Sequence, residues 1–293
     1  MTSRRVAITV AEDRPSRARL PEGVLGFVPM NRRARRASAS TARQGRAVGG
    51  GGAPESPSTQ LHRAVSEAGR RTTAGILSGS RTVEGVYEVV ERAAALGDAF
   101  MERSPTDPSL LACKKGCSTC CSRPVGTTAP SVFRLAAWLR ERLRPDELAE
   151  VLRRVAALDD VTHGKTWTPR ERAPNPCALL VDGVCSVYEV RPFTCRAWNA
   201  VDVEECKRAL GQEWTAMRFD LYQRTTYAGV EDGVKLALTD VGLDGGDLEL
   251  TASLRVALER PDACEAWLAG EPVFAGCEAK LPESQRRRLP IAQ

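Results

Sequence analysis

Histidine is almost absent from this chain of 293 residues, which contains only His62 and His163. Hydrolytic zinc sites favour imidazole and carboxylate ligands with one open position, so two isolated histidines argue against a zinc hydrolase. Each of them is more typical of a surface residue than of a metal ligand. We therefore leave both histidines out of the predicted site.

Long apolar runs are missing as well. No stretch approaches the length of a membrane-spanning helix, so we expect no membrane among the partners. Residues 1–14 are interrupted by charged side chains and lack the apolar core of a secretory signal. We therefore expect a protein of the reducing cytoplasm, in which cysteines bind metal, and keep a disulfide framework as the less favoured alternative.

Eight of the ten cysteines are concentrated in two blocks. The first block consists of Cys113, Cys117, Cys120 and Cys121, and the second of Cys177, Cys185, Cys195 and Cys206. Short loops between cysteines bring thiolates together without long loop closure. The blocks therefore predict a soft metal ion or an iron–sulfur cluster. An all-thiolate set suits structural zinc and iron–sulfur equally, and ligand softness does not separate them.

Details of the first block fit this interpretation. Gly116 relaxes the backbone where the chain must turn around the metal. Lys114 and Lys115 place positive charge beside the thiols, which favours thiolate. The adjacent Cys120 and Cys121 point in divergent directions, so both rarely reach one ion. One of the two is expected to serve a second site, to stay a reactive thiol or to pack.

Two cysteines lie outside the blocks. Cys264 sits in a short helical apolar pattern, which is typical of a small buried hydrophobic residue. Cys277 follows Gly276 in a predicted loop, where it would be open to reaction, but it has no partner at ligand spacing.

Composition predicts the domain limits. The first 60 residues contain eleven Arg against four acidic residues, which indicates a disordered basic leader. Such a tail can touch nucleic acid, but a solvated leader explains the composition at least as well, and nucleic acid is not an expected partner. We predict a linker or short helix over 61–81, a cysteine-cluster metal-binding domain over 82–280 and a tail over 281–293.

The apolar period within this domain is helical. It predicts helices from Thr82 to Met101, over 131–139, from Pro145, over 212–239 and over 247–259 with Asp247 as cap. Residues 161–176 read as an irregular arm. Strand signals are sparse, with at best a small hairpin within 178–184. The fold class that follows is mainly α, one helical domain with cysteine-bearing loops around the site.

The residues around the second block point to a family. From Cys185 the sequence continues Ser-Val-Tyr188-Glu-Val-Arg191-Pro-Phe-Thr-Cys195-Arg196. Together with the first block, it closely resembles the cysteine-cluster family often called YkgJ-like or CxxCxxCC, which is regarded as zinc- or iron-chelating. The resemblance spans about residues 113–206 and implies a metal-binding protein whose biochemical role is unassigned. Carried over by position, it implies the ligands Cys113, Cys117, Cys120, Cys121, Cys177, Cys185, Cys195 and Cys206.

Three residues beside these ligands are expected to contact the metal or cluster. Arg191 and Arg196 flank Cys195 and can offset the negative charge of bound thiolates, although an ion pair with Glu189 explains them equally well. Tyr188 is expected to shield the site.

The resemblance also implies an alternative function. Relatives of this family, the flagellin lysine N-methylases, are thought to couple a 4Fe–4S cluster to methyl transfer. An iron–sulfur-dependent methyltransferase acting on a protein or small molecule is therefore the second hypothesis, and no catalytic residue is assigned. The chain has no Gly-rich strand-to-helix turn for S-adenosylmethionine, so this cofactor would have to act through the cluster.

Overall fold

The computed structural model describes residues 55–210 and 217–280, which lie within one compact unit, Ala53–Gln293. Residues 1–54 of the predicted leader over 1–60, and the predicted tail over 281–293, lie outside the described residues. Ten α-helices and four two-residue strands form the described part, so the mainly α prediction is confirmed.

The longer helices make the frame of the domain. They are α1 (Pro57–Gly79), α2 (Val83–Met101), α3 (Ala129–Arg142), α4 (Pro145–Thr162), α8 (Leu221–Asp240) and α9 (Leu250–Glu259). The short helices are α5 (Trp167–Arg172), α6 (Phe193–Ala197), α7 (Val203–Ala209) and α10 (Ala263–Leu268). The strands are β1 (Gly126–Thr127), β2 (Leu180–Val181), β3 (Val184–Cys185) and β4 (Leu248–Glu249), paired antiparallel as β1–β4 and β2–β3.

Residues 61–79 of the stretch predicted as a linker or short helix over 61–81 lie in α1, a helix of 23 residues. The prediction of a disordered leader is wrong for its last four residues, 57–60, which form the first turn of the same helix. Its start is fixed by Ser56, whose hydroxyl accepts a hydrogen bond from the Thr59 amide at 3.2 Å, and by Pro57 at the first helical position. The helix packs along α8 through small residues, including Gly69 and Gly233. Small residues make up most of its buried face, so few large apolar side chains mark that face in the sequence.

We expect the Gly233→Ala substitution to lower the free energy of unfolding by about 1–3 kcal/mol, because its Cβ would collide with the carbonyl oxygen of Ser66 on α1. Gly75→Ala is the matched control. Nothing lies within 4 Å of a Cβ at Gly75, and alanine there should add up to about 1 kcal/mol through helix propensity. Urea denaturation of both variants measures the difference. Equal stability would contradict the close approach of α1 and α8.

The apolar core continues among α3, α9 and α10. The Phe133 ring lies 5.6 Å from that of Trp267 and 5.1 Å from that of Phe274, measured between centroids. Cys264 is buried in this core, as predicted. The interpretation of Cys277 as an open, reactive thiol is wrong: the side chain is only 4% exposed, and burial raises its pKa to about 11.

Three local predictions can be compared with the structure. The hairpin is present as β2–β3, with Asp182 and Gly183 both at positive φ in its turn. The arm over 161–176 is not wholly irregular, since it contains α5. The helix expected from 247 begins at Leu250 and is capped by Glu249, because Asp247 pairs with Lys235 and the next two residues form β4.

Across the described ranges, no helix is both long and apolar enough to cross a membrane.

Candidate metal centre

The first cysteine block forms two consecutive turns ahead of α3. Gly116 has a φ of 97°, which favours glycine, and the Cys117 amide donates to the Lys114 carbonyl at 2.9 Å. A 3-10 turn, Thr119–Ser122, then holds the adjacent Cys120 and Cys121. Cys117, Cys120 and Cys121 are therefore placed by local backbone turns.

The second block is spread over three small elements. Cys177 precedes the β2–β3 hairpin and Cys185 ends it, so the tight turn returns the chain towards its start. Cys195 lies on α6, which packs against α8. Cys206 lies on α7, whose first turn is capped by the Asp202 carboxylate bonded to the Glu204 amide at 2.8 Å.

Hydrogen bonds join the first block to the second at two points. The Cys177 amide donates to the Cys121 carbonyl at 2.7 Å. The Ala200 amide, between α6 and α7, donates to the Cys113 sulfur at 3.1 Å, and the Ala200 carbonyl accepts from Ala112 at 2.9 Å. The two blocks, separated by more than fifty residues in the sequence, thus meet in space.

A cavity of about 130 Å³ lies where the blocks meet, and we call it the larger cavity. Seven of the eight cysteines line it, all except Cys206. Tyr188 and Arg191 also line it. Its other charged lining residues are Lys114, Arg123, Arg170 and Glu249.

A second space of about 20 Å³, the smaller cavity, lies beside it. Its sulfur-bearing lining residues are Cys113, Cys117, Cys120, Cys206 and Met217. The Cys206 thiol points at the Met217 thioether, with 3.4 Å between the two sulfur atoms. Cys206 therefore belongs to the smaller cavity, whereas Cys113, Cys117 and Cys120 border both.

The sulfur atoms line these walls without converging on one point. All ten cysteines are free thiols. In residues 55–210 and 217–280, no three His, Cys, Asp or Glu side chains are grouped closely enough to hold a metal ion. Thiolate ligands of zinc lie about 2.3 Å from the ion. Loading with a metal is therefore expected to draw the sulfurs inward.

Burial dominates the protonation of these thiols. Loss of solvent raises the pKa of Cys113 to about 11 and that of Cys177 to about 11. The pKa values of Cys185, Cys195 and Cys206 are raised for the same reason. Without a cation these five thiols stay neutral at pH 7, and a neutral thiol costs less free energy to bury than a charged thiolate. A bound metal would supply the positive charge that converts them to thiolates, with release of protons.

The adjacent pair of the first block is the exception. A hydrogen bond from the Cys121 thiol lowers the pKa of Cys120 to about 7, and the charges of Arg123 and Arg191 act in the same direction. The same hydrogen bond raises the pKa of Cys121. Cys120 is thus the thiol most readily ionised before any metal arrives.

The two arginines that flank Cys195 differ in their surroundings. Arg191 lines the larger cavity and stacks on the Tyr188 ring, with 3.9 Å between the guanidinium carbon and the ring centroid. Within the described part of the chain, its Nε is buried and has no hydrogen-bond partner. Arg196 turns to the Glu189 carbonyl at 2.6 Å and lies 3.6 Å from an Asp98 oxygen. Its surroundings fit the ion-pairing interpretation.

Sequence reasoning missed several residues beside the cavities. Arg123 follows the first block by two positions and pairs with Glu171 at 2.5 Å, so its place in the sequence was a usable signal. Arg170 pairs with Glu249 at 2.7 Å, and both line the larger cavity. Met217 gave no signal, because nothing in its spacing connects it with the cysteines.

The two histidines lie on other surfaces. His62 bonds to Asp232 at 3.0 Å, and His163 bonds to Asp159 at 3.1 Å. Neither is among the residues that line the two cavities.

Fold and site together define a class: a helical domain in which loops and short elements gather cysteines around two cavities. Residues 112–216 match the model of the CxxCxxCC family, described as "Putative zinc- or iron-chelating domain". The match over this segment confirms the resemblance seen in the sequence. All eight cysteines of the two blocks fall within the match. The comparisons with curated proteins and with solved structures found no match.

Proposed function

We propose that this protein binds an iron–sulfur cluster in the larger cavity, with thiolates from both cysteine blocks. The main supporting observation is a cavity of about 130 Å³ bordered by seven thiols. A structural zinc ion is enclosed by four ligands at about 2.3 Å and leaves no such space. The cavity has room for roughly ten water-sized particles, which suits a group of several atoms.

The donor set fits a cluster. A 4Fe–4S cluster is held by four cysteine thiolates, and Cys121, Cys177, Cys185 and Cys195 border the larger cavity and not the smaller one. The thiolates come from separate loops, so a cluster bound there would fix the positions of those loops relative to the helices. The cluster would support electron transfer or provide a site for group transfer.

The charge at the cavity wall also favours an anionic occupant. A buried set of thiolates needs positive charge nearby, because an uncompensated buried charge is costly. The buried Nε of Arg191 has no hydrogen-bond partner among the described residues. Burial raises the pKa values of Cys185 and Cys195, and the Arg191 charge acts against that rise. We propose Arg191 as the main compensating group and Tyr188 as the ring that holds it.

The compartment in which the protein works is inferred from its cysteines. Ten free thiols are suited to a reducing compartment, so we propose that the protein works in the cytoplasm. The methyltransferase alternative stays a prediction of the sequence, because no contact among the described residues favours it.

Metal analysis tests the proposal. The full chain, purified without oxygen, is expected to contain iron and acid-labile sulfide in equal amounts, about four of each per chain. The measurement is elemental analysis combined with a sulfide assay. Folded protein that contains zinc but no iron, or no metal at all, would contradict the proposal.

A further inference from the structure

The eight block cysteines divide into two sets of four according to the cavities they border. Four border the larger cavity and not the smaller one: Cys121, Cys177, Cys185 and Cys195. The other four all border the smaller cavity: Cys113, Cys117, Cys120 and Cys206, of which the first three border the larger cavity as well. Four thiolates complete either a cluster or a closed zinc site.

We propose that the chain holds two metal centres, with a single soft divalent ion, of the zinc type, bound by Cys113, Cys117, Cys120 and Cys206 at the smaller cavity. The neighbouring centre in the larger cavity is the cluster of the proposed function, and the assignment of the other four cysteines rests on that proposal. The site for the single ion is inferred separately, from the four cysteines that border the smaller cavity.

The sizes of the two cavities separate their occupants. The smaller cavity, at about 20 Å³, has room for one water-sized particle, whereas the larger one has more than six times that volume. One ion fits the first and a cluster does not. Zinc takes four ligands in a closed tetrahedral site, and the four thiols that border this cavity supply that number and kind of ligand.

The adjacent Cys120 and Cys121 mark the boundary between the centres. Neighbouring residues in a chain direct their side chains apart, so two adjacent thiols rarely serve one ion. Cys120 borders both cavities, while Cys121 borders only the larger one. The assignment of one to each centre uses both residues, and a single shared centre would leave one of them without a role.

The surroundings of the smaller cavity suit a sulfur-bound ion. The Ala200 amide already donates to the Cys113 sulfur, and such a bond helps to stabilise a thiolate ligand. The Cys206 thiol and the Met217 thioether face each other across 3.4 Å. Sulfur ligands are the donors that zinc and other soft ions prefer over hard ones. A cation would draw Cys206 away from Met217 towards the three thiols of the first block.

The test compares two Cys→Ser variants of the full chain, purified without oxygen from medium supplied with iron and zinc. Cys206→Ser is expected to lose at least about four fifths of the zinc and to keep its iron and sulfide, because serine is a poor ligand for a soft ion. Cys185→Ser should lose iron and sulfide and keep its zinc. Cys264→Ser, a cysteine in the apolar core, is the matched control and should keep both.

A measurement on the unaltered chain covers the case in which a variant fails to fold. The unaltered chain, purified without oxygen, should contain about one zinc per chain in addition to the iron and sulfide of the cluster. Loss of iron together with zinc in folded Cys206→Ser, or unaltered protein with iron but no zinc, would overturn the two-centre assignment. Unaltered protein with zinc but no iron would instead overturn the proposed cluster.

Discussion

Cys185→Ser is expected to remove most of the iron and sulfide and to lower the free energy of unfolding by about 4 kcal/mol or more. A serine hydroxyl is a hard, weak substitute for a thiolate, and metal binding that joins separate loops contributes directly to folding. Cys185 ends the β2–β3 hairpin and borders the larger cavity, so its loss removes a ligand from the second block. Iron analysis and thermal unfolding measure the two effects.

The same substitution at Cys264 is the control. Cys264 is 5% exposed and packs in the apolar core on α10. Cys264→Ser should keep the iron and cost roughly 1–2 kcal/mol, the penalty for burying a hydroxyl. If Cys185→Ser keeps its iron, or if both variants lose stability equally without loss of metal, the second block does not bind the cluster.

The second large effect is on the pH dependence of stability, through Glu231 on α8. This carboxyl is fully buried, and desolvation raises its pKa from 4.5 to about 7. Between these two values the unfolded chain has released the proton and the folded protein still holds it. The contribution of Glu231 to stability is therefore complete below pH 4.5, decreases as the pH rises towards 7, and changes little above that. The total loss is up to about 3 kcal/mol.

Glu231→Gln isolates this contribution. Thr194 donates a hydrogen bond to one Glu231 oxygen at 2.5 Å, and the glutamine carbonyl can accept it instead. Lys235 lies nearby but is paired with Asp247, so it does not depend on Glu231 alone. The difference in unfolding free energy between variant and wild type, followed by urea denaturation from pH 4.5 to 8, should change by that amount. Parallel curves would show that Glu231 ionises normally in the folded protein.

Thiols also titrate as the pH changes, but they do so in both proteins. Their contributions to stability, including those that arise from metal release, cancel in the difference as long as Glu231→Gln leaves the metal content unchanged. Elemental analysis of both proteins at each pH checks this condition.

The fold could be predicted where large apolar residues set the period. The helix up to Met101 and the helix from Pro145 follow directly from such patterns. The long helix α1 could not be predicted in this way. Its contact with α8 depends on Gly69 and Gly233, which have no side chain to contribute to an apolar pattern. Close helix packing through glycine is visible only when the partner helix is known.

The candidate site, like the fold, could be predicted from the sequence only in part. Ligand spacing and the family resemblance identified the eight cysteines, since both are properties of the chain in sequence. The separation of Cys206 from the larger cavity depends on where α7 packs. The place of Met217 beside Cys206 has no counterpart in the cysteine spacing of the sequence. Arg191 and Arg196 are close in sequence, yet only the structure shows that Arg191 lines the larger cavity while Arg196 bonds to nearby backbone.

The visible absorption spectrum of the anaerobically purified full chain tests the central claim most directly. Thiolate-bound iron–sulfur clusters are coloured and redox-active, whereas zinc is neither. The unaltered protein should show a broad band in the visible region that bleaches when a reductant such as dithionite is added, and Cys264→Ser should show the same band. A colourless, folded protein that contains zinc alone would contradict the claim that the larger cavity holds a cluster.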